Sequence, residues 1–169
     1  MAAPPELESR APVAEPLGEV HGPAVVAFLR HVGCPFSEAT MQALSEEADH
    51  RPEITWIAVS HAGLEATDRW CAAVGASHRV RLVIDEERAA YGARGLGRSN
   101  LRRFAGRRSL AAVVGLARKG IHNRHPVGSR WQRAGTYAVD AEGKIAWRHI
   151  PRHAGELPDL RDAAKAALR

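Results

Sequence analysis

Short apolar runs alternate along the chain with stretches in which apolar residues recur every three or four positions. The runs are rich in Val and Ile, which is typical of buried strands. The spacing of three or four predicts amphipathic helices that each turn one apolar face toward a core. The predicted elements, in chain order, are a strand at 24–30, a helix at 35–48, a strand at 54–60, a helix at 64–75, a strand at 80–84, a short helix at 86–93, a helix at 109–119, strands at 135–140 and 144–150, and a helix at 156–168.

The order of these elements predicts a mixed sheet with helices on both faces. Strands separated by helices pair in parallel through right-handed crossovers, whereas the last two strands form an antiparallel hairpin around Gly143. The helix at 109–119 is inserted before that hairpin. We therefore predict an α/β protein, a thioredoxin-like three-layer α/β/α sandwich with a mixed central sheet, in which the strand at 24–30 is central.

Length and composition predict one domain. The chain has 169 residues, of which 45% are hydrophobic, and this is enough for a single core. The Pro- and Glu-rich residues 1–16 are expected to form a flexible N-terminal tail, followed by the domain at 17–169. Two cysteines make no disulfide framework, no apolar run is long enough to span a membrane, and no secretory signal is recognisable. The expected location is cytoplasmic, without membrane attachment.

The net charge of +5 is unevenly distributed. No acidic residue occurs between Arg88 and Asp140, although that stretch contains eleven Arg and Lys residues. Such a stretch could attract an anionic substrate or an acidic partner, or its cations could pair with carboxylates elsewhere in the fold. We expect no nucleic-acid partner, because no helix-turn-helix, zinc-knuckle or aromatic-interleaved pattern accompanies the charge.

Cys34 is the principal candidate for chemistry, because it lies where the first strand gives way to a helix. Pro35 suits the first helical position, and the free amides at a helix N-terminus stabilise a thiolate. Arg30 and His31 precede the cysteine, and Ser37 could donate a hydrogen bond to its sulfur. Cys34 is therefore a candidate nucleophile. The alternative is a small buried cysteine that only packs.

The segments FLRHVGCPFSEAT, LVIDEERAAYGARGLGR, QRAGTYAVDAEGKIAWRHI and HAGELPDL resemble the peroxiredoxin-like members of the alkyl hydroperoxide reductase/thiol-specific antioxidant (AhpC/TSA) family. The resemblance runs from about residue 20 to the end of the chain. It implies a thioredoxin fold without a cofactor, in which Cys34 attacks a peroxide, becomes a sulfenic acid and is recycled by a second thiol. It also implies Arg133 as the arginine beside the reactive cysteine. The implied partners are a small-molecule peroxide or disulfide, an external thiol reductant such as glutathione or a thioredoxin-type protein, and a second copy in a homodimer.

The sequence departs from the family pattern around Cys34. Ala27 and His31 stand where typical members have a Pro and a Thr, and Ser37 stands where many relatives have a second cysteine. His31 could orient the peroxide or act as acid to the leaving oxygen, or it could only cap or pack at the strand end. Because position 37 is a serine, Cys34 cannot take part in a thiol–disulfide exchange within a Cys-x-x-Cys motif.

Cys71 is the only other cysteine and therefore the only internal candidate for a resolving thiol. It shares an apolar stripe with Leu64, Thr67 and Val74 on the second predicted helix, which favours packing over disulfide formation. We therefore expect the resolving thiol to come from another molecule or a second subunit.

The remaining histidines give no metal-site pattern. His122 and His125 are three residues apart, and His149 and His153 are four apart, but neither pair has the helix-borne carboxylate of zinc hydrolases. We instead expect Arg124 and His125 to line the pocket opposite Cys34. Two functions stay open: a thiol-dependent peroxidase or oxidoreductase acting through Cys34, and a non-catalytic redox-sensing or binding module whose basic surface binds an acidic partner.

Overall fold

The computed structural model describes residues 3–98, 107–122, 124–153 and 155–169. Within these ranges the chain forms five strands and five helices that follow the predicted order. In chain order these are β1 (Ala24–Phe28), α1 (Pro35–His50), β2 (Thr55–Ser60), α2 (Leu64–Val74), β3 (Val80–Ile84), α3 (Ala89–Ala93), α4 (Arg107–Arg118), β4 (Gly135–Val139), β5 (Ile145–His149) and α5 (Leu160–Ala167). Arg102 and Arg103 of the basic stretch lie outside the described residues.

The five strands form one mixed sheet in the order β3-β2-β1-β4-β5. Val26 of β1 is paired in parallel with Ile57 of β2 and antiparallel with Tyr137 of β4. The central position of β1 and the antiparallel β4–β5 hairpin confirm the predicted thioredoxin-like topology. The carboxyl end of β1, which leads to Cys34, therefore lies in the middle of one sheet edge.

Alternating side chains of β1 supply the cores on the two faces of the sheet. Val25 and Ala27 pack with residues of α1, α2 and α5, whereas Val26 and Phe28 face α3 and the segment before β1. The Phe28 ring meets the Tyr91 ring edge-on at a centroid distance of 5.0 Å. All five residues of β1 are buried, as expected for a central strand covered on both sides.

Part of the segment 1–16, predicted as a flexible tail, contacts the edge of the sheet and the core. The carbonyl of Ser9 accepts a hydrogen bond from the amide of Ile145 in β5 at 2.8 Å. The buried guanidinium of Arg94 donates to the carbonyl of Pro12 at 2.9 Å. These bonds satisfy backbone groups of an edge strand and a charge within the core, which explains why the segment lies against the domain. The domain boundary at residue 17 stays a prediction.

The buried face of α2 differs from the predicted stripe. Thr67, Trp70 and Val74 are buried, whereas Leu64 is 58% exposed and Cys71 is only half-buried. The helix is therefore rotated so that the Trp70 ring, the largest apolar side chain on it, enters the core. A large indole gains more from burial than a leucine in the first helical turn.

Helix α5 begins later than predicted. Asp159 caps it by accepting hydrogen bonds from the amides two and three residues on, at 3.0 and 3.1 Å. The first helical residue is Leu160, so Pro158 precedes the helix instead of standing in its first turn. An aspartate at the N-cap is the stronger start signal, because its carboxylate satisfies amides that the helix leaves free.

Candidate functional site

Cys34 is the N-cap residue of α1. Its backbone is extended (φ −76°, ψ 129°), and the helix begins at Pro35, as predicted. The Cys34 carbonyl accepts the first helical hydrogen bond, from the amide of Glu38 at 3.0 Å. The side chain is 2% exposed and packs against Phe36 and α4. The thiol thus lies at the end of α1 that carries the free amides and the positive end of the helix dipole.

An open pocket of about 340 Å³ lies beside Cys34. One part of its wall is apolar and comes from α1, α4 and the loop before β4. The other part is polar and comes from the end of β1 and the same loop. The lining residues are Arg30, His31, Cys34, Pro35, Phe36, Val113, Arg130 and Trp131.

Two arginines share this pocket with the thiol. Nη2 of Arg30 donates to the carbonyl of Arg130 at 3.4 Å, and the Arg30 guanidinium lies 5.9 Å from the centre of the Phe36 ring. Burial lowers the pKa of Arg30, and the nearby Cys34 acts in the opposite direction. Ser37 does not direct its hydroxyl at the sulfur in the hydrogen bonds described; its oxygen accepts the Arg30 amide at 3.2 Å. Ser37 thereby fixes the backbone that carries Arg30.

His31 and a second buried histidine, His61, lie at the ends of the neighbouring strands β1 and β2. Burial is the main cause that lowers the pKa of each to about 4, and for His31 the charges of Arg30, His61 and Arg130 add to it. Nε2 of His61 accepts the Ser129 amide at 3.0 Å, so its proton is on Nδ1. In the described part of the chain, neither Nδ1 atom has a hydrogen-bond partner. Both imidazoles are therefore neutral at pH 7.

The loop that carries Cys34 is held by a short segment, residues 124–127, which we call the strap. The Arg124 amide donates to the carbonyl of Gly33 at 3.0 Å, and the Val127 amide donates to the carbonyl of Val32 at 3.1 Å. Gly33 has a φ of +84°, a conformation that suits glycine. The strap therefore pairs with the loop as a short antiparallel bridge.

Arg124 and His125, which were expected to line the pocket, belong to the strap instead. Arg124 binds the buried Glu38 carboxylate through Nε at 3.1 Å and Nη2 at 3.4 Å. This pairing raises the pKa of Arg124. His125 is exposed, and its carbonyl oxygen lies only 2.4 Å from where a Cβ on Gly33 would be. Neither side chain is in the lining of the pocket, so their predicted role there is not supported.

Arg133, the other predicted cation, is also absent from the pocket lining. Its charge acts on Tyr137. Burial raises the pKa of Tyr137 to about 12, and the charges of nearby arginines, Arg133 among them, act in the opposite direction. Its backbone amide donates to Gly97 at 3.2 Å. Arg130, three residues earlier, lies in the pocket in its place. Nothing in the sequence separates the two, because both belong to the same basic stretch and no secondary structure fixes their direction.

Cys71 lies on α2 and packs against the core under the sheet face that α1 and α5 cover. Burial, helped by the charge of Asp68, raises its pKa to about 11. Both cysteines are free thiols. A thiol with so high a pKa supplies little thiolate at pH 7, so Cys71 is poorly suited to attack an oxidised Cys34.

In the ranges described, no group of three or more His, Cys, Asp or Glu side chains is arranged to bind a metal ion. None of the described helices is both long and apolar enough to cross a membrane.

Comparison with protein families gives a match to the AhpC/TSA antioxidant enzyme family over residues 40–153, more than half of the chain. The matched region begins after Cys34 and includes α4 and the β4–β5 hairpin. No curated protein is significantly similar to the sequence.

Solved structures with the same fold include peroxiredoxins and peroxiredoxin-like proteins. A peroxiredoxin-like protein from Aquifex aeolicus superimposes with a TM-score of 0.64 at 15% identity, covering 97% of this chain and 86% of that one. A thiol peroxidase from Chromobacterium violaceum superimposes with a TM-score of 0.63 at 11% identity, covering 96% of this chain and 86% of that one. Peroxidoxin BcpB from Mycobacterium tuberculosis superimposes with a TM-score of 0.63 at 11% identity, covering 96% of this chain and 97% of that one. At these identities the likeness establishes the fold, and together with the family match it shows that the chain belongs to the AhpC/TSA antioxidant enzyme family and has a peroxiredoxin-like, thioredoxin-like fold.

Proposed function

We propose that the protein is a thiol peroxidase in which Cys34 reduces hydrogen peroxide or an organic hydroperoxide and an external thiol restores the enzyme. The observation that carries this proposal is the pocket itself, in which a thiol at a helix N-terminus shares one cavity with Arg30 and Arg130. Helix amides and guanidinium groups both favour thiolate over thiol, and the thiolate is the nucleophile. Membership of an antioxidant enzyme family supports the same conclusion.

The first step is an attack of the Cys34 thiolate on one oxygen of the peroxide. A sulfur–oxygen bond forms and the oxygen–oxygen bond breaks, so the sulfur loses two electrons and the peroxide gains them. The products are the Cys34 sulfenic acid and an alkoxide or hydroxide, which takes up a proton from solvent to become an alcohol or water. Negative charge develops on the leaving oxygen, and the charges of Arg30 and Arg130, which line the same pocket, would stabilise it.

His31 is proposed to orient the peroxide rather than to protonate the leaving oxygen. With a pKa of about 4 its imidazole is almost entirely neutral at pH 7, and a group so rarely protonated is a poor general acid. A neutral imidazole can still donate one hydrogen bond and accept another. It thereby offers the two functions of a hydroxyl group at the position where related proteins have a threonine.

The second step needs a thiol from outside the chain. Ser37 cannot form a disulfide, and Cys71 has a raised pKa and packs on a different core from Cys34. An external thiolate attacks the sulfur of the sulfenic acid, hydroxide leaves, and a mixed disulfide forms. A second external thiol then releases the Cys34 thiolate. A reducing compartment, as predicted from a sequence whose two cysteines make no disulfide framework, would keep such a thiol available.

The test is peroxide turnover with dithiothreitol as reductant in the wild type and two variants. Cys34→Ser should abolish turnover, whereas Cys71→Ser, the matched removal of the other thiol, should retain it. Trapping with a sulfenic-acid reagent followed by mass spectrometry should place one adduct on Cys34. Equal rates in the wild type and Cys34→Ser would overturn the proposal. So would an adduct at Cys34 with no turnover by any thiol, which would favour the redox-sensing alternative.

A further inference from the structure

We propose that the thiol which recycles Cys34 is a small anionic thiol, a low-molecular-mass compound carrying a carboxylate, that binds in the pocket beside Arg130. This inference rests on the proposed peroxidase function, because it names the second substrate of the same site. It excludes a thioredoxin-type protein as the direct reductant. Three features of the pocket lead to it: access, size and charge.

Access to Cys34 is narrow. The side chain is 2% exposed, and Phe36, Leu116 and Ile121 pack against it. The strap crosses its loop with two backbone hydrogen bonds, and the buried Glu38 anchors the strap through Arg124. A thiol on the surface of another protein brings its own backbone with it, and to let that backbone reach the sulfur the packed Phe36 or α4 would have to move. A small molecule needs no such movement.

The size of the pocket fits a small molecule and exceeds what a peroxide requires. Its volume of about 340 Å³ lies near the lower end of the range for small-ligand pockets, roughly 300–1,000 Å³. Hydrogen peroxide, with two heavy atoms, needs about twice the volume of a water molecule, roughly 60 Å³. The space beyond the peroxide is open toward the exposed side chains of Val113 and Trp131. The pocket can therefore hold a thiol of several carbons against Cys34.

The charge of the pocket selects an anion. Its lining residues include Arg30 and Arg130 and no acidic residue, and the charges of both arginines act on His31 in the same pocket. The sequence has no acidic residue between Arg88 and Asp140 that α4 or the loop before β4 could contribute. A Cys34 thiolate offsets part of this positive charge, but oxidation to the neutral sulfenic acid removes that negative charge. The oxidised pocket is thus most strongly positive at the stage when the reducing thiol must enter.

The attacking thiol reaches the sulfur as a thiolate, and a second negative charge on it would lie near Arg130. The sulfur–sulfur bond forms as the carbon-bound thiolate displaces hydroxide from the sulfenic acid, and that hydroxide takes up a proton from solvent. A second molecule of the same thiol then attacks the mixed disulfide. Its own sulfur is oxidised as the Cys34 thiolate leaves, so two small thiols become one disulfide per peroxide reduced. His31, which is buried and has an unpartnered nitrogen, lines the same pocket.

The experiment compares three small thiols that differ mainly in charge: 3-mercaptopropionate (anionic), 2-mercaptoethanol (neutral) and cysteamine (cationic). Cys34 in a Cys71→Ser background is oxidised with one equivalent of hydrogen peroxide, and mixed-disulfide formation is followed by quenched mass spectrometry. Rates are expressed per thiolate, at low and high ionic strength. We expect the anionic thiol to react about tenfold faster than the neutral one at low salt, and the cationic thiol to react slowest.

Two variants decide whether the pocket is responsible. Arg130→Gln should reduce the preference for the anionic thiol to about twofold, whereas Arg118→Gln, which removes an exposed cation at the end of α4 outside the lining, should keep it. Equal rates per thiolate for the three compounds would overturn the inference. A preference that survives Arg130→Gln, or faster reduction by a thioredoxin-type protein than by the anionic thiol, would also overturn it.

A second arm separates this inference from the proposed function. Reduced Cys34 is treated with the disulfides of the same three thiols, in a step where its thiolate attacks one sulfur and the other leaves as a thiolate. That step needs no peroxide, and the anionic disulfide should again react faster in a manner that depends on Arg130. Failure of peroxide to oxidise Cys34 while this preference holds would refute the peroxidase alone. Normal oxidation without any charge preference would refute the inference alone.

Discussion

The two buried histidines should make the stability of the protein fall steeply below neutral pH. His31 and His61 have pKa values lowered to about 4 by burial, whereas an unfolded chain has histidine pKa values of about 6.5. Between these values the unfolded state binds protons that the folded state does not, so stability decreases as pH falls from about 6.5 to about 4. Below about pH 4 both states are protonated and the loss stops. At pH 5 the difference amounts to about 2 kcal/mol for each histidine relative to pH 7.5.

Urea unfolding followed by circular dichroism at pH 7.5 and pH 5.0 measures this loss. His31→Gln and His61→Gln remove one titrating group each, and the glutamine oxygen at position 61 can still accept the Ser129 amide. Each variant should lose about 2 kcal/mol less than the wild type between the two pH values, whatever its stability at pH 7.5. His78→Gln replaces an exposed histidine and should follow the wild type. If the His31 and His61 variants lose as much stability as the wild type, the two imidazoles are not held neutral by burial and the assignment of His31 as a neutral orienting group fails.

Two further changes test the architecture around the site, each by urea unfolding at pH 7.5. Gly33→Ala should cost more than Gly75→Ala: both glycines have positive φ, which costs alanine about 1–2 kcal/mol, but only a Cβ at Gly33 would also strike the strap. Equal losses of stability in the two variants would mean that the strap moves away from the new Cβ at little energetic cost. Tyr91→Phe should cost about 1–3 kcal/mol, because the hydroxyl shares its one proton between the buried carbonyls of Leu29 and Val59, at 2.7 and 2.8 Å, and joins the ends of β1 and β2. A loss near zero would indicate that water replaces the hydroxyl.

The central features of the fold could be predicted from local patterns alone. Uninterrupted apolar residues in β1 require cover on both faces, which makes it an interior strand of the sheet, and the order of strands and helices predicts the layout in which it is central. Pro35 marks the first residue of α1, and Gly143, with a φ of +78°, lies in the turn of the β4–β5 hairpin. Each of these signals acts within a few residues, so no knowledge of distant contacts is needed to interpret them.

The pocket could be predicted only in part, because distant segments build most of it. The position of Cys34 and its neighbours Arg30 and His31 follows from the strand-to-helix junction. Arg130 enters through a loop whose course depends on the hydrogen bond between His61 and the Ser129 amide. A bond of that kind joins residues 68 positions apart and leaves no periodic signal in the sequence.

The ion pair that a charged residue forms was also beyond prediction from the sequence. Arg124 was expected in the pocket because it lies in the basic stretch, but the buried carboxylate of Glu38 holds it on the strap. Glu38 lies in the first turn of α1, where an acidic residue is ordinarily explained by the helix dipole. Charge pairing across 86 positions of sequence cannot be deduced from composition, because any of several cations could satisfy the same carboxylate.

Arg94 is a cation in the interior of the protein, 1% exposed, with its guanidinium 5.1 Å from the centre of the Phe28 ring. The backbone oxygen of Pro12 accepts a hydrogen bond from this guanidinium, as water does from an arginine on the surface. The amino-terminal residues therefore act as an internal substitute for hydration, although their composition suggests a dispensable extension. A shortened chain starting at residue 17 would have to accommodate a partly unsolvated charge beneath the same strand that leads to Cys34.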